Sequence, residues 1–151
     1  MVAGLAYGGY WLSGHVFGGG STTASSAGGD VPGAIDRSIA AGFGAIGNGL
    51  GMRNLHDQYQ VRDDIDRAID TVRQERTTLD AAVGTVTGAR ADALSAAIFA
   101  EGALEAALGQ WRDVIFNLRF GQIDQAQTAV ADSLAALGKA RDAWNAAGGS
   151  S

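Results

Sequence analysis

Side chains that could perform chemistry are densest between residues 56 and 66. This stretch holds one imidazole and four carboxylates, a mixture suited to acid–base catalysis or metal binding: His56, Asp57, Asp63, Asp64 and Asp66. Three arginines alternate with the carboxylates at helical spacing: Arg62, Arg67 and Arg73. Such alternation is typical of a solvated helix face with ion pairs. We therefore interpret the stretch as a solvated surface.

A second carboxylate pair, Glu101 and Glu105, is separated by one helical turn. Carboxylates at this spacing ligate metals in some four-helix bundles, but those sites also need Glu-x-x-His motifs on facing helices, which the sequence lacks. The chain has no cysteine and only two histidines, His15 and His56, so it offers little from which to build a zinc site or a thiol nucleophile. The sequence predicts no enzyme: no catalytic residue, no metal site and no cofactor.

Residues 42–47 read GFGAIG and match the G-x-G-x-x-G pattern of dinucleotide-binding loops, with Asp63 and Asp64 about twenty residues further on. In those loops the glycines form a tight turn between a strand and a helix of a parallel βαβ unit. No alternating apolar run follows here, so the required strands are not predicted. We interpret these glycines as small residues that let a second helix approach closely, or that loosen the segment.

Two regions of different composition meet near residue 52. Of the 151 residues 23 are glycines, and 15 of these lie within residues 1–51, whereas only three of the 27 charged residues precede Arg53. The net charge of −5 argues against direct, sequence-specific nucleic-acid binding, because phosphate contacts need clustered lysines and arginines. The first region is apolar and glycine-rich, and the second is suited to amphipathic helices.

The composition divides the chain into five segments. Residues 1–17 are predicted to form an irregular apolar arm that contacts another chain through its aromatic residues: Tyr7, Tyr10, Trp11 and Phe17. Residues 18–32 are predicted to form a flexible glycine- and serine-rich linker, and residues 33–52 a glycine-rich apolar helix. Residues 53–147 are predicted to form a helical domain, followed by a tail at 148–151.

Beyond Arg53 a heptad register can be followed through nine repeats, which predicts long amphipathic helices with a coiled-coil-like seam. Three arginines occupy seam positions, and we expect each to pair with a carboxylate or to extend to the rim: Arg62, Arg76 and Arg90. Two glycines within residues 83–88 favour a turn there.

A second amphipathic helix follows Gly121, which we expect to adopt the left-handed conformation and so to end the preceding helix. The short connection predicts an antiparallel hairpin with a defined core: Trp111, Leu118, Ile123, Val130, Leu137 and Trp144. The predicted fold is therefore all-α, with long amphipathic helices and a C-terminal antiparallel helical hairpin, preceded by an irregular glycine-rich apolar arm.

The apolar seam exceeds what one short hairpin can cover, which predicts that the chain associates with copies of itself or with other proteins. The residues expected at such contacts are Phe43, Ile46, Leu50, Trp111, Phe116 and Phe120. Residues 38–52 carry no charge, and a 15-residue helix of ~22 Å is shorter than the ~30 Å hydrocarbon core of a bilayer. This segment could therefore line a protein interface or enter a membrane partially.

The apolar run at residues 39–49 (IAAGFGAIGNG) leads into residues 54–60 (NLHDQYQ) and then into a proline-poor helix rich in Ala, Gln, Arg and Asp. Over residues 33–120 this texture resembles the small internal virion proteins, or DNA-ejection proteins, of short-tailed bacteriophages. The resemblance implies an interior particle protein that is released and helps to form a conduit through the host envelope, with apolar segments entering a membrane. The short C-terminal hairpin and the net acidity depart from that pattern.

The expected function is that of a non-enzymatic structural subunit of a multi-chain assembly. On the resemblance, its partners are copies of itself and other virion proteins, and it resides in the phage particle and then in the host cell envelope. The alternative is a membrane-active or secreted helical effector that inserts through residues 38–52.

Overall fold

Four helices make up most of the residues that the structure describes. A computed structural model describes residues 30–52 and 57–149. It contains α1 (Val31–Leu50), α2 (Asp57–Ala82), α3 (Gly88–Phe116) and α4 (Ile123–Gly149), with a 3₁₀ turn at Phe120–Gln122. No strand occurs within these two ranges, and the predicted all-α class is confirmed. The predicted apolar arm, with Tyr7, Tyr10, Trp11 and Phe17, lies outside the described residues.

Helix α1 begins just before the predicted start, with Pro32 in its first turn, where the missing N–H leaves no helical bond unmade. The helix continues through the whole GFGAIG segment, which therefore forms no strand–turn–helix loop of the nucleotide-binding kind. It ends at Leu50, and the N–H of Gly51 closes the last turn by donating to the carbonyl of Gly47.

Residues 83–87 separate α2 from α3 and reverse the chain. Gly84 has φ +87° and Gly88 has φ +63°, in the left-handed region that glycine adopts without steric cost. Both the hydroxyl and the backbone N–H of Thr85 donate to the carbonyl of Ala82 at the end of α2. The continuous heptad register therefore passes through two helices joined by a glycine turn.

Helix α3 ends differently from the prediction, which placed the left-handed residue at Gly121. The positive φ, 57°, belongs to Leu118, and Gly121 lies within the 3₁₀ turn. Leu118 donates its N–H to Ile115, and Arg119 donates to Val114, which is the hydrogen-bond pattern of a Schellman cap. The cap satisfies the last carbonyls of α3 although a leucine occupies the position that usually favours glycine.

Consecutive helices run antiparallel and form a four-helix bundle. One side-chain contact in each neighbouring pair shows its direction: Arg37 with Glu75 (α1 and α2), Asp66 with Arg112 (α2 and α3), Arg90 with Trp144 (α3 and α4), and Asp36 with Arg141 (α1 and α4). Helices α1 and α3 also touch each other across the centre of the bundle. Within the described residues, α2 and α4 lie on opposite sides and make no contact.

The apolar seam of α2 is buried within the chain. Four seam residues are less than a tenth exposed because α1 and α3 pack against them: Ile65, Ile69, Val72 and Leu79. The argument that these side chains need a second chain is therefore wrong, since it left α1 out of the bundle. Val83, in the turn after α2, is 60% exposed.

Glycines allow α1 to pack closely against its neighbours. A Cβ atom at Gly42 would lie 2.6 Å from Cδ2 of Leu134, and one at Gly49 would lie 2.6 Å from Cζ2 of Trp111. Both distances are shorter than any ordinary carbon–carbon contact. Of the two interpretations of this glycine-rich segment, close helix approach therefore applies to Gly42 and Gly49.

Candidate functional site

The acidic stretch of the sequence lies on the outside of α2 and is ion-paired. Asp63 accepts from Arg62 at 3.1 Å, and Asp64 accepts from Arg67 at 2.8 Å. Asp66 pairs with Arg112 of α3. His56 lies outside the described residues. In residues 30–52 and 57–149 no group of three or more His, Cys, Asp or Glu side chains is arranged to hold a metal ion.

Two of the residues expected at contacts with another chain are used inside the bundle. Trp111 is fully buried and Ile46 is 1% exposed. Phe43 is half-buried and packs against the same core. The apolar surface of these three side chains is therefore covered largely by the chain itself.

The other three residues lie at the same end of the bundle. Leu50 ends α1 and is 44% exposed, Phe116 ends α3, and Phe120 in the 3₁₀ turn is 55% exposed. Tyr59, in the first turn of α2, joins them: its ring meets that of Phe116 edge-on at 6.0 Å, and it is 59% exposed. The guanidinium of Arg62 lies over both rings, 5.5 and 5.3 Å from their centroids. We call Leu50, Tyr59, Phe116 and Phe120 the end cluster.

A second exposed apolar surface runs along the outside of α3. We call it the Phe99 face, and its exposed residues are Ser95, Ala96, Phe99, Ala103, Ala106 and Gln110. Phe99 is 81% exposed, and a groove of about 480 Å³ lies beside it, bounded on the far side by Arg76 of α2. Between Ser95 and Gln110 the exposed positions of this face are uncharged, and the exposed Asp92 lies just before them. Glu101 points into the bundle, and Glu105, 26% exposed, pairs with Arg73 at 2.8 Å.

Sequence reasoning missed Phe99, although a signal was present. In the heptad register that places Ala97 and Ala100 in the seam, Phe99 falls at an outer position where polar residues are expected. A phenylalanine at such a position, with alanines four and seven residues later, forms an exposed apolar strip instead of a solvated one.

A cluster of polar side chains is buried where α1, α2 and α3 meet. Glu101 of α3 and Ser38 of α1 are both fully buried, and Glu75 of α2 is 6% exposed. Both oxygens of Glu75 are engaged by Arg37, at 2.7 and 2.9 Å, and this pairing raises the pKa of Arg37. Among the described residues, neither carboxyl oxygen of Glu101 has a hydrogen bond of normal geometry, and the same is true of the Ser38 hydroxyl.

Burial raises the pKa of Glu101 to about 8, because a charged carboxylate loses its hydration there. The adjacent Ser38 hydroxyl acts in the opposite direction, the negative charge of Glu75 adds to the rise, and Arg76 opposes it. At neutral pH the side chain of Glu101 is therefore mainly the uncharged acid.

The sequence also contains a pattern that indicates the burial of Glu101. Residues at the same heptad position in α3 are Leu94, Glu101, Leu108 and Ile115, and all four are buried. One carboxyl group in an otherwise apolar row marks a buried acid, whereas Glu105, one turn away, is on the surface.

None of the four helices in the described ranges is long and apolar enough to cross a membrane. In the uncharged segment 38–52, Ile39, Ala45 and Ile46 pack into the core of the bundle. No protein-family model, no curated protein and no solved structure matches the chain. The resemblance to ejection proteins therefore rests on the sequence texture alone.

Proposed function

We propose that this chain is a non-enzymatic structural subunit of a multi-chain assembly, in which a second copy packs on the Phe99 face of α3. The setting that we propose is the interior of a bacteriophage particle, with release into the host envelope during DNA ejection. The setting follows from the sequence resemblance, and the mode of association follows from the surface of α3.

The exposure of Phe99 is the observation that carries the proposal. An aromatic side chain that is 81% exposed on the middle of a helix leaves a large apolar area in water. Aromatic residues that fill a pocket are common anchors of protein interfaces. The neighbouring alanines would allow a helix to approach closely.

The protruding Phe99 side chain and the groove lie on the same face, which favours a symmetric pair of copies. Phe99 borders the groove that Ile98, Gly102 and Arg76 line. A two-fold axis near this point would place the Phe99 ring of each copy in the groove of the other, since an isologous contact uses one patch twice. Arg76 would then meet an aromatic ring, an arrangement that adds a cation–π attraction.

Sedimentation velocity of the full chain at micromolar concentration tests this association. We expect the wild-type chain to sediment as an oligomer and Phe99→Ser to sediment as a monomer, with an unchanged helical circular dichroism spectrum. The matched control is Phe120→Ser, which removes a second exposed phenylalanine from the end cluster and is expected to leave the oligomer intact. A monomeric wild-type chain, or an oligomer that survives Phe99→Ser, would contradict the proposal.

The proposed setting needs a separate test. Mass spectrometry of purified particles, after protease has removed accessible surface proteins, should detect the chain inside the shell. Its absence from such particles would rule out the virion interior and leave the association through α3 as an independent question.

A further inference from the structure

Glu101 occupies an unusual position for a carboxyl group, because it is fully buried at the junction of three helices and forms no ion pair with residues 30–52 or 57–149. The polar groups that act on its pKa are the hydroxyl of Ser38 on α1 and, on α2, the side chains of Glu75 and Arg76. Buried polar groups in native proteins are nearly always paired, and an exception calls for an explanation.

Among the described residues, the charged groups around this junction each form an ion pair with another side chain. Arg37 binds both oxygens of Glu75, and Arg76 lies 3.7 Å from the carboxylate of Glu105 on the surface. From α4, the inward-facing Arg141 pairs with Asp36 of α1 at 2.9 Å. Within the described residues, an ionised Glu101 would therefore be a buried charge beside a second carboxylate, and each nearby cation would already be paired with another carboxylate.

We propose that the uncharged carboxylic acid of Glu101 is a proton-dependent lock that keeps α1 packed against α2 and α3, and that loss of its proton loosens α1. The proposal is independent of the association through the Phe99 face. It assigns a conformational role to a residue that the structural function leaves unused.

We expect α1 to be the element that moves when Glu101 ionises. The carboxylate can gain hydration only if a neighbouring helix withdraws, and Ser38 of α1 is the neighbour that offers it no charge. Two cross-helix ion pairs, Asp66 with Arg112 and Arg73 with Glu105, hold α2 against α3 on the other side. Helix α4 has its most extensive interface with α3. Helix α1 is also paired with α2 through Arg37 and Glu75 and with α4 through Asp36 and Arg141. As the shortest of the four helices it is the one that we expect to open.

The direction of the pH effect follows from proton linkage. The ordinary pKa of a glutamate is 4.5, whereas burial raises that of Glu101 to about 8 in the folded chain. Between these values the folded chain holds a proton that the unfolded chain releases, so stability falls as the pH rises. The stabilising effect of the proton is complete below about pH 4.5 and is lost as the pH passes through about 8.

Urea unfolding of the full chain between about pH 5 and pH 9 tests the lock, with Glu101→Gln as the key variant. Glutamine has the shape of the neutral acid but cannot ionise. We expect the unfolding equilibrium constant of the wild-type chain, divided by that of Glu101→Gln, to rise about tenfold for each pH unit up to about pH 8. The exposed carboxylate variant Asp132→Asn is the control and should keep the wild-type pH dependence.

Hydrogen exchange locates the loosening. Protection factors of the α1 amides in the wild-type chain should fall between pH 6 and pH 9 by more than those of α4, and they should stay constant in Glu101→Gln. Parallel pH profiles of the wild-type chain and Glu101→Gln would overturn the proposal. Equal loss of protection in α1 and α4 would overturn the role of α1.

Two further results would contradict the proposed role of Glu101. A carboxyl carbon-13 titration that places the midpoint of Glu101 near its ordinary value would show that the group is charged at neutral pH, contrary to the proposal. Failure of Glu101→Gln to fold would likewise contradict it, because the lock requires that the fold accept an uncharged group of this shape.

Discussion

The indole Nε1 of Trp111 donates a hydrogen bond of 2.9 Å to the carbonyl oxygen of Ala45. The same ring lies on the backbone of Gly49, one turn further along α1. The hydrogen bond sets the position of α1 along α3, and the ring contact sets the distance between the two helices. A single buried side chain of α3 thus determines how the last turns of α1 are placed.

Replacing Gly49 tests this arrangement. We expect Gly49→Ala to lower the free energy of unfolding by about 1 kcal/mol, because overpacking a buried site costs about 1–3 kcal/mol and the helix propensity of alanine returns only about 1 kcal/mol. Gly44 of the same helix is the control, since an added Cβ there meets no atom of the described residues within 4 Å. Gly44→Ala should therefore stabilise the fold by about 0.5–1 kcal/mol in urea unfolding. Equal stabilisation by both substitutions would show that Trp111 does not limit the approach of α1.

The ion pair between Asp36 and Arg141 joins the first helix to the last, and its side chains are only 14% and 10% exposed. Asp36→Asn should cost about 1–3 kcal/mol, because it removes the buried carboxylate that pairs with Arg141 and leaves the 73% exposed Asp142, at 3.2 Å, as a weaker ion-pair partner. The surface pair of Asp64 and Arg67 offers the comparison, and Asp64→Asn should cost less than about 1 kcal/mol. Thermal unfolding of both variants at neutral pH distinguishes the two cases, and similar losses would mean that water screens Asp36 as well.

Leu137 reports on the interface of α3 and α4, where it is fully buried. Leu137→Ala should lower the free energy of unfolding by about 2–5 kcal/mol through lost contacts and the cavity that remains. Leu50→Ala, at a leucine that is 44% exposed, should cost less than about 1 kcal/mol. If chemical denaturation gave the two variants the same stability, Leu137 would not belong to a tightly packed core.

The helices beyond Arg53 could be predicted because their apolar residues recur at a helical period and because glycines mark the turn at residues 83–87. The place of α1 could not, since its glycines obscure the amphipathic pattern that Ile35, Ile39 and Ile46 carry. The cap at Leu118 depends on a backbone conformation that leucine rarely adopts, so the prediction assigned it to Gly121.

The candidate sites were harder to predict than the helices, because they depend on which side of a helix its neighbours leave open. Phe99 and Glu101 are two residues apart in α3, yet one points into solvent and the other into the core. Counting heptads distinguishes these positions only when the number and order of the packed helices are known. The prediction from the sequence did not place α1 in the bundle.

The order of the helices around the bundle also has a kinetic consequence. Three of the four neighbouring pairs join helices that follow one another in the chain. Only the pairing of α1 with α4 links distant parts of the sequence, since Asp36 and Arg141 are 105 positions apart. Contacts that are local in sequence form quickly, whereas a long loop must lose entropy before its ends meet. The hairpins of this chain should therefore form before the ring of helices closes, and Asp36→Asn should accelerate unfolding in stopped-flow measurements while leaving the refolding rate nearly unchanged.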